Sequence, residues 1–171
     1  MNIRYATKDD LEQMYQVSLA AHGSGYDQMI PADHKVDFAS RFSENEKNRQ
    51  DFYKRALGRI ESPDWHVWVA EVDGIVAGHT YAEVISDKCM YKRGIFISPA
   101  FQGKGIGKAL FEVSLKIATK GVIRLTVIKS NERARNMYKS YGFVDTDIPV
   151  EPFFGAPQVV MQLTLGRHHH K

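Results

Sequence analysis

The spacing of apolar residues changes along the chain from a helical period to an alternating one. "IRYA" (residues 3–6) predicts a short first strand, and apolar residues at helical spacing in residues 11–19 predict an amphipathic helix. Thr7 and Asp10 stand between them at the spacing of a capping box. Residues 31–60 keep the helical period and predict two further helices, divided near "SENE".

Alternation in steps of two begins with "WHVWVAEVDGIVAGHTYAEVIS" (65–86), in which Asp73-Gly74 predicts a tight hairpin between two strands. "CMYKRGIFIS" predicts a fourth strand. A Gly-rich turn and a helix with two apolar stripes come next, followed by the strand "VIRLTVI" and a short helix that ends at Gly142. Two last strands, "GFVDTDI" and "QVVMQLTL", complete the series. This order predicts an α/β fold, with one mixed seven-stranded sheet flanked by helices.

Length and composition fit one globular domain. At 171 residues, with 43% apolar and 25% charged residues, the chain is long enough for one core and too short for two typical domains. We assign residues 1–166 to that domain and residues 167–171 to a tail, which is either native or left from expression. Because no apolar run could span a bilayer or serve as a signal peptide, we expect a cytoplasmic protein that does not bind membranes.

Charge and cysteine content limit the kinds of partner that the chain is expected to bind. The net charge is +3, but Lys and Arg alternate with Asp and Glu instead of forming a basic stripe, so we do not expect nucleic-acid binding. The single cysteine, Cys89, cannot form an intrachain disulfide and has no metal-binding spacing, so we expect no metal. A homodimer is compatible with the chain, although the sequence does not specify one.

Three glycines alternate in "QGKGIG" (102–107), at the start of a helix. Free backbone N–H groups there can bind an anion, and glycine lets the ligand approach the backbone. A nucleotide-binding P-loop would need Gly at position 102 and Ser or Thr at 109, where the chain has Gln102 and Ala109. A dinucleotide fingerprint would need Gly at 108 and an acid near 125, where Lys108 and Leu125 stand. A purely structural turn is the remaining alternative.

"QGKGIG" resembles the Q/R-x-x-G-x-G/A motif of the GNAT superfamily of N-acetyltransferases, and "IFISP" before it resembles the strand leading into that motif. "NERARNMYKSYGF" (131–143) resembles the family's N-x-x-A-x-x-x-Y-x-x-x-G-F segment. Two motifs in the right order, separated by one helix and one strand, are more specific than either alone. The element order resembles this fold over nearly the whole chain, which implies a sheet splayed between the fourth and fifth strands.

The resemblance implies acetyl-CoA as the cosubstrate. Its pyrophosphate would lie on the Gly-rich loop, whose residues are Gln102, Gly103, Lys104, Gly105, Ile106, Gly107 and Lys108. The pantetheine arm would pair with the backbone of the fourth strand at Ile95, Phe96 and Ile97. Asn131 has the position of a helix N-cap, and the resemblance adds a cofactor contact there.

Tyr138 is the predicted general acid. A phenol, with a pKa of about 10, is protonated at neutral pH and can donate to a leaving thiolate, whose thiol has a pKa of about 8.5. The alternative is a packed aromatic residue without a chemical role.

The residue that removes the proton from the amine is harder to find. An alkylamine with a pKa of about 10.4 is almost wholly protonated at pH 7. Many family members are described with a carboxylate in the fourth strand or with a water chain, but this fourth strand has no Asp or Glu. Glu83, in the third strand, is the best carboxylate candidate, and an exposed strand residue is the alternative. His79 is either a second candidate base or a solvent-facing histidine.

The function implied is transfer of the acetyl group to a primary amine by direct attack. A late loop, "DTDIPVEPFFGAP" (145–157), carries acidic residues without a compensating base, beside Phe153 and Phe154. Those acids are Asp145, Asp147 and Glu151. The loop fits a cationic amine with an apolar body, such as a polyamine, or forms an ordinary acidic hairpin. A peptide N-terminus is the other acceptor considered. A non-catalytic acetyl-CoA-binding sensor or interaction module is the alternative function.

Overall fold

The computed structural model describes residues 1–166, and the predicted tail at 167–171 lies outside them. The strands are β1 (Asn2–Tyr5), β2 (Trp65–Val72), β3 (Ile75–Ser86), β4 (Cys89–Ile97), β5 (Val122–Ile128), β6 (Val144–Asp145) and β7 (Gln158–Thr164). The helices are α1 (Leu11–Ala21), α2 (Lys35–Arg41), α3 (Glu46–Glu61), α4 (Ile106–Leu115) and α5 (Glu132–Ser140). All seven strands form one sheet in the order β1-β2-β3-β4-β5-β7-β6. The predicted mixed sheet flanked by helices is confirmed.

Local sequence signals set the boundaries of the first elements. Thr7 and Asp10 form the predicted capping box, with the Thr7 N–H donating to Asp10 Oδ2 at 2.8 Å. Arg4 binds the same carboxylate and holds the pKa of Asp10 below its usual value. In the β2–β3 hairpin, Asp73 and Gly74 have φ values of 50° and 78°, as a type I′ turn requires.

Two apolar cores cover opposite faces of the sheet. Neighbouring β2 residues alternate between them, since Val67 and Val69 pack with α1 and α3 while Trp68 and Ala70 pack with α4. On α4 the predicted double apolar stripe is confirmed, because Leu110 and Phe111 are both fully buried. The sheet is therefore the middle layer between the two cores.

The sheet has a gap, which is the predicted splay between β4 and β5. The two strands pair in parallel only from Cys89–Val122 to Lys92–Leu125, and then separate. Beyond this point β5 stays paired with β7 and β4 stays paired with β3, so each strand separates together with its other partner. A bulge accompanies the separation, because the β3–β4 register shifts and leaves Gly94 without a counterpart.

A third, smaller core joins the first helical segments to the late loop. After α1 the chain makes a π turn at His22–Tyr26 and two short 3₁₀ turns before α2 begins. Phe38 of α2 packs there with Ile128 at the end of β5 and Ala156 of the late loop. No helix in the part of the chain that the structure describes combines the length and apolar character needed to cross a bilayer.

Candidate active site

The Gly-rich loop presents a row of backbone N–H groups without protein partners. Gly103 and Gly105 have φ values of 75° and 79°, and a Cβ added at either would meet no atom within 4 Å. Within residues 1–166, the six N–H groups from Gly103 to Lys108 find no acceptor. The N–H of Gln102 is the exception in the predicted loop, because it donates to Pro99 O at 3.3 Å. The backbone geometry therefore fits an anion in front of α4.

Two lysines add positive charge beside this loop. Lys104 Nζ lies 5.3 Å from the ring centroid of Phe101. Lys108 Nζ lies 4.0 Å from Glu112 Oε1, at the limit of an ion pair, and both side chains are solvent-accessible. Such an exposed pair is weak, so both lysines can contribute to holding an anion.

The residues predicted to bind the pantetheine arm lie where β4 has left β5. Ile95, Phe96 and Ile97 pair with β3 on one side, and no strand pairs with them on the other within residues 1–166. Backbone groups in this position need a partner, and an extended ligand with amide groups can supply one. The splay and the Gly-rich loop are continuous in the chain, so the two predicted halves of the coenzyme site are brought together.

Asn131 caps α5, as its position in the sequence predicts. Its Oδ1 accepts the N–H of Ala134 at 3.2 Å. Since this bond accounts for the side-chain oxygen, the additional cofactor contact stays a prediction.

Tyr138 lies half-buried in α5 with its ring packed on Phe111, at a centroid distance of 5.3 Å. Burial raises the pKa of Tyr138 above the usual phenol value, and the nearby hydroxyl of Tyr26 raises it further. The phenol is therefore protonated at neutral pH. Its ring packs as the alternative of a packed aromatic residue expects. Its hydroxyl, however, has no hydrogen-bond partner in residues 1–166 and is free to contact a ligand.

An aromatic cluster, defined by His22, Tyr26, Phe42, Phe96 and Phe153, lies beside the splay. The His22 ring stacks on Phe42 at 3.8 Å and lies 5.1 Å from both Tyr26 and Phe96. Tyr26 in turn lies 5.9 Å from Phe153 of the late loop. The cluster draws on four separate segments, which is why the sequence pattern did not reveal it. Tyr26 is the member of the cluster that raises the pKa of Tyr138.

Both histidines near the site are neutral and tied to backbone carbonyls. His22 Nδ1 donates to Ser18 O at 2.6 Å, and burial lowers the pKa of His22 to about 4. His79 Nε2 donates to Met14 O at 3.1 Å, and burial lowers the pKa of His79 to about 3. The alternative that His79 faces solvent is wrong, because the side chain is fully buried, with the rings of Phe52 and Phe96 beside it.

The candidate carboxylates have partners that the sequence did not reveal. Arg93 donates to Glu83 Oε2 through Nε at 3.0 Å and Nη2 at 2.5 Å, and its guanidinium lies 4.2 Å from the Tyr91 ring. In the late loop, Asp145 forms an ion pair with Arg135 at 2.7 Å. The expectation of an uncompensated loop is therefore wrong for Asp145. The role of Glu83 as a base stays a prediction.

The expectation of no metal rests on the sequence alone. Across residues 1–166, no three His, Cys, Asp or Glu side chains lie together as a metal-binding group.

Comparisons with known proteins agree with this architecture. Residues 30–143 match the model of the acetyltransferase (GNAT) family. An uncharacterized N-acetyltransferase of Archaeoglobus fulgidus is 30% identical over 149 residues, which cover 82% of this chain and 90% of that protein. The N-alpha-acetyltransferase RimI of Mycobacterium tuberculosis is 43% identical over 49 residues, or 29% of this chain and 31% of that protein.

A solved structure shares the fold. The PaiA N-acetyltransferase of Thermoplasma acidophilum, in complex with coenzyme A, superposes with a TM-score of 0.74 at 20% identity, covering 95% of this chain and 98% of that one. Since the family model spans both sequence motifs and the strands that splay between them, the chain belongs to the acetyltransferase (GNAT) family.

Proposed function

We propose that this acetyltransferase takes its acetyl group from acetyl-CoA and transfers it to a primary amine by direct attack. The observation that carries the proposal is the row of six unpartnered N–H groups beside a sheet that opens at the same place. A diphosphate followed by an extended chain with amide groups satisfies both features with one molecule. The PaiA structure, which contains coenzyme A, supports this choice.

Different residues of the chain would contact different parts of the coenzyme. The amides of Gly103 to Lys108 would hold the pyrophosphate, with Lys104 and Lys108 adding charge. Ile95, Phe96 and Ile97 would pair with the pantetheine amides, and Asn131 would contact the cofactor while capping α5. The coenzyme supplies an activated acetyl thioester.

Tyr138 is the group that we assign to the leaving sulfur. Its raised pKa keeps the proton on the phenol at any physiological pH, and also makes the phenol a weaker acid than an exposed tyrosine. Its contribution is therefore a hydrogen bond that strengthens as negative charge develops on sulfur, with the proton moving late.

Glu83 is the carboxylate that we assign to the proton of the amine. Both contacts from Arg93 are to Oε2, so Oε1 is the oxygen left to accept the proton. The β3–β4 ladder places Glu83 opposite Tyr91, where β4 and β5 are still paired, so Glu83 lies before the start of the splay. Water in the splay is therefore the competing proton acceptor.

Two kinds of acceptor amine fit the far side of the splay. The aromatic cluster offers half-buried rings to an apolar body or a cation, which favours a small cationic amine such as a polyamine. Asp147 and Glu151 form no ion pair within the described residues and can add negative charge. A peptide N-terminus is the second class, and the RimI relative is named for that activity.

The test is a thiol-release screen with acetyl-CoA against polyamines, aminoglycosides, amino acids and short peptides. With the best acceptor, Tyr138→Phe should lower kcat by about 10²- to 10⁴-fold, the usual size of a general-acid contribution. Its dissociation constant for CoA should stay that of the wild type. The matched control is Tyr5→Phe, which removes a hydroxyl that bonds to His66 Nδ1 at 3.1 Å on β1, at the edge of the sheet away from the splay, and should retain activity.

Two results would contradict these assignments. Full activity of Tyr138→Phe across pH would exclude Tyr138 as the acid. CoA binding without thiol release for any amine would instead favour a non-catalytic acetyl-CoA-binding module.

A further inference from the structure

The structure buries a lysine at the point where the sheet opens. Lys92 is the last β4 residue paired with β5, and only 4% of it is exposed. Its amine group contacts Thr80 Oγ1 at 2.5 Å and donates to Gly94 O at 2.9 Å and to the carbonyl of Arg93. It forms no ion pair with any residue in the 1–166 range. A buried lysine without a carboxylate partner is costly, so its position calls for an explanation.

The contacts of Lys92 do not depend on its charge. A neutral amine has two N–H groups, enough for the carbonyls of Arg93 and Gly94. The Thr80 hydroxyl, which lies 2.8 Å from Gly94 O, bridges the amine and the second carbonyl. Burial lowers the pKa of Lys92 well below the usual lysine value.

The two carbonyls that Lys92 binds belong to the β4 bulge. Thr80 pairs with Ile95 and Tyr81 with Arg93, so Gly94 is the extra residue. A bulge bends its strand and redirects the groups that follow it. The Lys92 amine binds the two carbonyls that flank the Cα of Gly94, those of Arg93 and of Gly94 itself. Thr80 adds a bond from the neighbouring strand to the second of these carbonyls.

We propose that Lys92 is a positioning residue that fixes the β4 bulge and thereby sets the angle at which Ile95–Ile97 leave β5. The inference rests on the proposed function in one respect, that the pantetheine arm of the coenzyme lies in the splay. Without the Lys92 amine, the carbonyls of Arg93 and Gly94 lose a shared donor and the bulge is free to shift. The backbone groups of β4 would then no longer be held in register with the ligand.

The test compares Lys92→Met with Lys88→Met. Both replace a lysine by methionine, but Lys88 is exposed in the turn before β4. The first measurement is amide hydrogen exchange of the protein without ligand. In Lys92→Met, the amides of Arg93–Ile97 that bond to β3 should exchange about tenfold faster or more, the size of one lost hydrogen bond. The amides of β2 should be unchanged, and Lys88→Met should resemble the wild type throughout.

The second measurement is the dissociation constant of CoA, which should rise about tenfold in Lys92→Met and stay constant in Lys88→Met. Thr80→Val keeps the Lys92 side chain but removes its contact with Thr80 and one bond to Gly94. It should therefore raise both the amide exchange rate and the dissociation constant of CoA, by less than Lys92→Met does. If Lys92→Met does not fold, Thr80→Val decides. Wild-type exchange and affinity in the folded variants would overturn the proposal. If the wild type failed to bind CoA, the proposed function would fail while the exchange comparison still tested Lys92.

Discussion

Tyr138, Glu83 and His79 differ in which of their polar atoms are already bonded. The Tyr138 hydroxyl has no partner in residues 1–166, and Glu83 has one oxygen held by Arg93 and one left over. His79 is fully buried with Nε2 bonded to Met14 O, and its Nδ1 has no partner. Only the first two can exchange a proton with a ligand without leaving the core.

The assignment of Glu83 can be tested with Glu83→Gln. As pH rises, a growing fraction of the amine is already neutral and no longer needs a base. We therefore expect the loss in kcat to be concentrated at low pH and to shrink toward the pKa of the amine. The measurement is the pH profile of kcat at saturating acetyl-CoA.

Glu71→Gln is the matched control for that experiment. Glu71 also binds an arginine, Arg4, at 2.8 Å, but lies on β2 near the edge of the sheet. Its profile should follow that of the wild type. An unchanged profile for Glu83→Gln would remove Glu83 from consideration.

Motif spacing located Tyr138 and Asn131, but local pattern did not predict the environments of Lys92 and His79. Alternation along a strand tells which residues share a face, and does not tell what covers that face. A lysine or histidine in a strand is usually exposed, so burial by α1 or by a bulge is visible only in the folded chain. Tyr26 escaped assignment for the same reason, because it approaches Tyr138 from a distant turn.

At the scale of elements, the spacing of apolar residues and the residue types at turns predicted most of the fold. The Asp73-Gly74 hairpin and the left-handed Gly142 after α5 are both present, with φ of 93° at Gly142. The end of α1 was less predictable, since a π turn at His22–Tyr26 continues it. The strand after Gly142 is also shorter than its sequence indicates, because β6 contains only Val144–Asp145 before the late loop leaves the sheet.

The Gly-rich loop gives a prediction with a closely matched control. Gly105→Ala and Gly74→Ala both place a Cβ on a backbone of φ near 79° and 78°, in open space. Each should lose about 1 kcal/mol of unfolding free energy, the cost of left-handed backbone for an L-residue. Only Gly105→Ala places its methyl group where the pyrophosphate would lie. We therefore expect weaker CoA binding in that variant alone, measured by calorimetry, and equal weakening in both would contradict the assignment of the loop.

At the scale of the molecule, the splay divides the sheet into an antiparallel half, β1 to β4, and a second half of β5, β7 and β6. Within residues 1–166, the only strand ladder between the halves pairs Cys89–Lys92 with Val122–Leu125, and packing of the helices and of the late loop adds to it. A ligand that pairs with β4 therefore ties the two halves together and stabilises the folded state.

Coenzyme binding should accordingly raise the melting temperature. At a concentration 100 times its dissociation constant, CoA should add about 2.7 kcal/mol to the unfolding free energy. For a chain of this size that corresponds to roughly 5 to 11 °C. Pantetheine, which lacks the pyrophosphate, should give a smaller shift at the same concentration, measured by scanning calorimetry. Equal shifts would show that the Gly-rich loop contributes nothing.

An opening in the middle of a sheet is a pair of internal strand edges, and exposed edges invite proteases and foreign strands. After each round of catalysis the enzyme has these edges uncovered until the next coenzyme arrives. We expect its lifetime in a cell to follow the supply of that coenzyme, so that scarcity would remove the enzyme as well as its substrate.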